Sequence, residues 1–194
     1  MLPRYNVGAN SSRSLLSIPC WVVSIFVAFA TISESNVIRN VQKLHFPQPN
    51  LRIELRDGVL SVWDVVRKRW VKLTPEEWVR QHLLHFMIDH LGCPMSLMAV
   101  EKTVLYNGMR KRSDLVVFGN ALHPALLAEC KSPEVSLNQA VFEQAAMYNA
   151  KLKVPYLLIT NGLVTHCCVI DFNTGSYQYL TDVPDFAQMK AIVE

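Results

Sequence analysis

Between positions 113 and 131 the sequence reads S-D-L-V-V-F-G-N-A-L-H-P-A-L-L-A-E-C-K, and three of its side chains have types and spacing that could do chemistry. Glu129 and Lys131 stand two apart at the end of an apolar run. On a strand they point the same way, roughly 6.6 Å apart, with Cys130 on the opposite face. Asp114 opens the preceding apolar run, so pairing of the two runs as a hairpin would bring it close to Glu129. Two carboxylates and an ammonium at one end of a sheet could hold a hard divalent cation and polarise a phosphate. A surface aspartate followed by an ordinary Glu–Lys pair has the same spacing, and spacing alone favours this plainer reading.

Other polar candidates carry less. Of the six histidines, His82 and His85 are three apart on a helical stretch with no third partner, so they read as surface or core-edge residues and not as ligands. The five cysteines, Cys20, Cys93, Cys130, Cys167 and Cys168, form an odd set without C-x-x-C spacing. Reduced thiols in a core fit them better than a disulfide frame or a zinc site. Cys130 is placed in the core behind the site. Met87, Met95, Met98 and the tryptophans read as packing.

The elements that must position the trio follow from patterning. Residues 51–55 alternate as a strand, Asp57-Gly58 is a hairpin turn, and residues 59–65 return. Arg67, Lys68, Arg69 and Lys72 then form a small basic cluster, read as a solvated turn with an occasional phosphate-contact role as the alternative. Thr74-Pro75-Glu76-Glu77 is a complete helix start, with Thr74 as N-cap, Pro75 at N1 and Glu77 closing a capping box. That helix is expected to run to about Leu91, burying Trp78 or Val79, Leu83, Phe86, Met87 and Leu91. Residues 98–106 and 109–118 read as strands joined at Asn107-Gly108, and residues 125–131 as the next strand. Ser136 is expected to cap a helix over residues 137–151. Residues 154–160 are nearly all apolar, as in a strand covered on both faces. Asn161-Gly162 turns into strands over 164–172 and 177–180, and Pro184 is expected to open a last short helix.

At 194 residues, with 51% apolar and 18% charged side chains, the chain can bury a real core. The net charge of +3 excludes nucleic-acid binding through bulk charge and leaves it to local patches. Residues 1–40 stand apart from a domain spanning residues 41–194. Positions 15–33 carry no charge and follow Arg4 and Arg13. They read as a short membrane span, as a signal peptide with Ala28-Phe29-Ala30 as its cleavage site, or as an upstream extension outside the fold. The extension is the favoured reading. It makes the protein cytoplasmic, with membrane anchoring through residues 15–33 as the alternative.

The order helix, three strands, helix, strand, with Asp at one strand and E-x-K at the next, resembles the core of the PD-(D/E)XK nuclease superfamily. More closely, residues 44–162 resemble the bacterial family of type I restriction enzyme R protein N-terminal domains. The resemblance rests on L-T-P-E-E-W-V-R-Q (73–81), V-E-K (100–102), K-R-S-D (111–114), A-E-C-K (128–131), Gln144 with Tyr148 and Asn149, and I-T-N-G (159–162). It covers about 120 residues and reverses the preference for the plainer reading. It implies an α/β fold of restriction-endonuclease type, an αβββαβ core whose mixed central sheet is flanked by helices, with a β-hairpin in front.

The resemblance also implies roles. Asp114 and Glu129 match metal-ligand carboxylates, with Glu101 as an additional one, and a solvent-facing edge acid as its equal alternative. Lys131 matches the lysine that orients or deprotonates the attacking water, and Gln144 and Tyr148 match a Q-x-x-x-Y element beside the site. Ser113 stands where the superfamily's proline would. The implied activity is Mg²⁺- or Mn²⁺-dependent hydrolysis of DNA, with Arg110, Lys111, Arg112 and Tyr148 as nucleic-acid contacts. The alternative is a non-catalytic module binding a nucleic acid or a protein. No G-x-x-x-x-G-K-[ST] loop is present, so a stand-alone domain without nucleotide cofactor or motor is expected. If this is a metal site, mutual repulsion of its carboxylates further predicts that Asp114→Asn or Glu129→Gln leaves apo stability unchanged or raises it.

Overall fold

Two successive residues with positive φ, Asp57 at 50° and Gly58 at 76°, make the tight turn that joins β1 (Ile53–Arg56) to β2 (Val59–Asp64). Such turns match the twist of antiparallel strands. The computed structural model to which they belong describes residues 42–106, 108–119 and 122–193; the side chains of Lys102, Val104, Leu105, Tyr106, Met109, Arg110, Lys111 and Lys151 lie outside that description. Residues 15–33 also lie outside it. Among the described residues no helix is long and apolar enough to cross a membrane.

The front element is a three-stranded antiparallel sheet and not a hairpin. β3 (Arg69–Lys72) occupies the stretch expected to be a basic turn. Val71 stands opposite Val62 and Trp70 opposite Trp63, whose rings meet edge-on at 5.6 Å. These cross-strand pairs make the strand; four residues of R-W-V-K are too few for an alternation to be read.

Thr74 caps α1 (Pro75–Asp89) as expected, its hydroxyl oxygen accepting the Glu77 N–H at 3.1 Å. The capping box is not closed, because the Glu77 carboxylate turns to Arg67, Arg80 and Gln81. The helix is buried on more than an apolar stripe. Trp78, Val79, Leu83, Leu84 and Met87 are buried, and so are Glu77, Arg80, Gln81 and His82.

The main sheet has six strands in chain order, β4 (Met98–Tyr106), β5 (Met109–Phe118), β6 (Pro124–Cys130), β7 (Tyr156–Thr160), β8 (Thr165–Asp171) and β9 (Ser176–Leu180). Only β6 and β7 are parallel. A parallel pair needs a crossover, and α2 (Gln139–Leu152) supplies it. Asn138, not Ser136, caps α2, accepting the Val141 N–H at 3.2 Å. Phe142, Ala145 and Leu152 of α2 pack on Val116, Leu127, Leu157, Ile159 and Cys168, which form one core. Asn149 pins the α2–β7 turn by donating to the Val154 carbonyl at 2.8 Å and accepting its N–H at 3.1 Å. The last helix, α3 (Phe186–Ala191), opens two residues later than expected, with Asp185 and Gln188 closing a capping box. The architecture is therefore α/β, with the expected helix, three strands, helix, strand core and a mixed sheet.

Candidate functional site

Parallel pairing of β6 with β7 runs through Glu129↔Ile159 and Cys130↔Thr160, and the Lys131 N–H continues it by donating to the Thr160 carbonyl at 2.8 Å. β6 ends at Cys130, and its bonding to β7 reaches one residue further, to Lys131. Glu129 and Lys131 face a cavity of about 110 Å³ whose other walls are Val141, Gln144, Ala145 and Tyr148 of α2 and Ile159 of β7. Four of the residues singled out from sequence, Glu129, Lys131, Gln144 and Tyr148, therefore share one cavity. Cys130 points the other way and is fully buried. Burial pushes its thiol well above the ordinary range, and Asp114 adds to this while Arg80 opposes it.

Asp114 is held beside that cavity but does not line it. Ladder pairing of β5 with β6 ends at Leu115↔Ala128, one step short of Asp114 and Glu129. There the Asp114 side chain replaces the ladder, accepting the Cys130 N–H at 2.7 Å on one carboxylate oxygen. The other oxygen takes Arg80 of α1 at 2.9 Å. Each oxygen has two lone pairs, so one contact apiece leaves acceptor capacity on both.

Arg80 belongs to a buried ion network that joins four elements. It also contacts Glu76 at 2.8 Å and Glu77, and lies 3.8 Å from Glu101. Arg67, from the β2–β3 turn, pairs with Asp64 at 2.8 Å, with Glu77 and with Glu101. Gln81 donates to Asp64 at 2.7 Å and to Glu77 at 2.8 Å. Burial alone would lower the Arg80 pKa, but Asp114 and Glu77 beside it hold the guanidinium firmly charged, above its ordinary value. Glu101 sits between Val100↔Leu115 and Lys102↔Ser113 in the β4–β5 ladder, with its own pairing broken and φ at 47°. A glutamate in the left-handed region carries strain of about 1–3 kcal/mol and persists only where its surroundings fix it. Here Arg67 and Arg112 do so, the latter at 3.1 Å.

The candidates thus divide into two groups. Glu129, Lys131, Gln144 and Tyr148 meet in the cavity; Asp114 and Glu101 meet through Arg80; Arg112 is mostly exposed and tied to Glu101. The side chains of Arg110 and Lys111 lie outside the described residues. Among the described residues no three of His, Cys, Asp and Glu are grouped to hold a metal ion by themselves.

Sequence reasoning missed Arg80, Asp64 and Gln81, read Arg67 as part of a solvated turn where it is buried in ion pairs, and gave Glu77 to a cap. The E-E-x-x-R spacing of Glu76, Glu77 and Arg80 does signal helical ion pairs. It does not show that they are buried, nor that Asp114 is the third partner.

The family described as type I restriction enzyme R protein N terminus matches residues 75–184, more than half of the 194-residue chain. No curated protein matches it. A solved fragment described as an HsdR subunit of a type I restriction enzyme from Vibrio vulnificus YJ016 is similar at 19% identity with a TM-score of 0.44, over 60% of this chain and 25% of that one.

Proposed function

Because this chain belongs to the family of type I restriction enzyme R protein N termini, we propose that it is a DNA endonuclease-type domain of the PD-(D/E)XK kind, hydrolysing phosphodiesters with Mg²⁺ or Mn²⁺. The observation that carries this reading is the cavity in which Glu129, Lys131, Gln144 and Tyr148 meet, with Asp114 fixed at the adjoining Cys130 N–H. Asp114 and Glu129 would hold the ion. Hard carboxylate oxygens suit Mg²⁺ or Mn²⁺, and Mg²⁺ commonly takes one or two carboxylates, with waters and substrate phosphates completing its shell. The absence of a three-residue protein cage among the described residues is therefore compatible with it. When bound, such an ion supplies charge neutralisation at the phosphate and a more acidic water.

The chain's own groups do the rest. Lys131 presents an ammonium from the strand end into the cavity, where it orients the attacking water and offsets charge building on the phosphate. Gln144 and Tyr148, one helical turn apart on α2, form the opposite wall and position the scissile group. Arg80 keeps the Asp114 carboxylate aimed. DNA is the proposed partner, and the cytoplasm the proposed compartment.

One observation favours the non-catalytic alternative: Asp114 and Glu101 are already compensated by Arg80, Arg67 and Arg112, so the fold holds these charges without a metal. Metal titration combined with cleavage assays decides between the two. The nuclease reading expects calorimetric binding of Mg²⁺ or Mn²⁺ and cleavage of plasmid, linear or single-stranded DNA. Glu129→Gln should remove both, whereas Lys131→Ala should spare metal binding and remove cleavage. A wild-type chain that binds neither ion is the non-catalytic module.

A further inference from the structure

The outer face of the three-stranded sheet collects cations around tryptophan, and neither the cavity nor the family match at residues 75–184 includes it. Strand alternation puts Arg56 of β1, Trp63 of β2, and Trp70 and Lys72 of β3 on this face, with Arg52 just ahead of β1. The opposite face carries Val62 and Asp64, both fully buried against the body. Arg52 and Arg56 each lay their guanidinium over the Trp70 ring, 4.9 and 4.8 Å from its centroid. Glu54 lies between them and bonds both, at 2.8 and 3.3 Å. Arg52, Arg56, Lys68, Arg69 and Lys72 are all exposed on this small sheet, against Glu54 and Asp57. Cations therefore outnumber acids on the exposed strands and turns, in a chain whose net charge is only +3.

We propose that this face is a binding surface for the phosphate backbone of duplex DNA, with Arg52, Arg56 and Lys72 as the phosphate contacts and Trp70 as the platform that orders the two arginines. Stacking on an aromatic ring holds a guanidinium in place while its edge still offers N–H donors, so less conformational freedom is lost when a phosphate arrives. The spacing of cations along an extended edge suits a repeating anion, and nothing on the face reads bases. Binding is sequence-independent and strongly salt-dependent. The proposal rests on DNA as the partner of the cavity, but it is independent of cleavage.

The test is therefore a binding measurement on the full chain in EDTA. Fluorescence anisotropy with a labelled duplex of about 30 base pairs, from about 50 to about 200 mM salt, reads affinity and its salt slope together. Arg52→Ala with Arg56→Ala should weaken binding about tenfold for any sequence and reduce the slope of log K against log salt by about two. Lys72→Glu gives a second reading without touching the Trp70 stack, and thermal melts confirm folding of both proteins. Binding is read in EDTA, where metal-dependent cleavage does not run, which separates loss of this surface from loss of the nuclease reading. Unchanged affinity and slope in the folded variants overturns the proposal. So does a wild-type chain that ignores the duplex, or one that prefers phosphatidylserine vesicles to it.

Discussion

Arg80 is buried at 4% side-chain exposure and shares its charge among Glu76, Glu77 and Asp114. A guanidinium so placed depends on its anions, since removing one partner of a buried pair leaves uncompensated charge. Asp114 has a second duty at the Cys130 N–H, where no backbone acceptor stands in β5. Asp114→Ala is accordingly expected to lower unfolding free energy by about 2–4 kcal/mol in urea melts. This reverses the expectation drawn from carboxylate repulsion, because attraction to Arg80 and the amide outweighs it. Unchanged stability would mean that the Arg80 contact is not formed in solution. His82 allows a separate test at the same scale. It is buried, its Nδ1 lies 2.9 Å from the Trp78 carbonyl, and its Nε2 has no hydrogen-bond partner among the described residues. Burial holds its pKa below the ordinary 6.5, with the Trp78 carbonyl pulling weakly the other way. The unfolded chain then takes up the proton first as pH falls through about 6.5, so stability present at neutral pH is lost on the acid side. His82→Gln should flatten the urea midpoint between pH 7 and pH 5 relative to the wild type; parallel profiles would remove His82 as the cause.

Elements were legible wherever a local signal fixed them. Asp57-Gly58 and the T-P-E-E start of α1 carry turn and cap chemistry in adjacent residues, and both stand where the sequence put them. Thr74→Ala should cost about 1 kcal/mol, since it removes the acceptor for the Glu77 N–H; a wild-type-like urea midpoint would show that the cap is not needed. Elements settled by tertiary partners were not legible. β3 exists because Trp70 and Val71 find Trp63 and Val62 across the turn, which no window of four residues shows. Ser136 and Asn138 are both good caps, and no local signal decides that the helix opens at Gln139 and not at Leu137. The shared face of Glu129 and Lys131 was legible because a period of two needs only an extended chain. Arg80 was not, because burial of a charged helix position depends on elements far away in the sequence.

The described fold is tied together by charge as well as by the apolar core. The three-stranded sheet reaches the rest of the fold through Arg67 and Asp64, which meet Glu77 and Gln81 of α1 and Glu101 of β4. The outer, basic face and the cavity are thus two ends of one scaffold joined by buried ion pairs. Removing Arg67 leaves Asp64, Glu77 and Glu101 short of a cation in a region with little water, where losing one partner typically costs about 3–5 kcal/mol. Arg67→Ala should therefore destabilise the protein by about that amount, and unevenly. Hydrogen exchange should show β1, β2 and β3 opening well before β5, β6 and β7, whose protection comes from the apolar packing of α2 on Leu127, Leu157 and Ile159. Equal loss of protection in both sheets would mean that they fold as one cooperative unit without needing the Arg67 pairs, and that the small sheet is held by its apolar contacts alone.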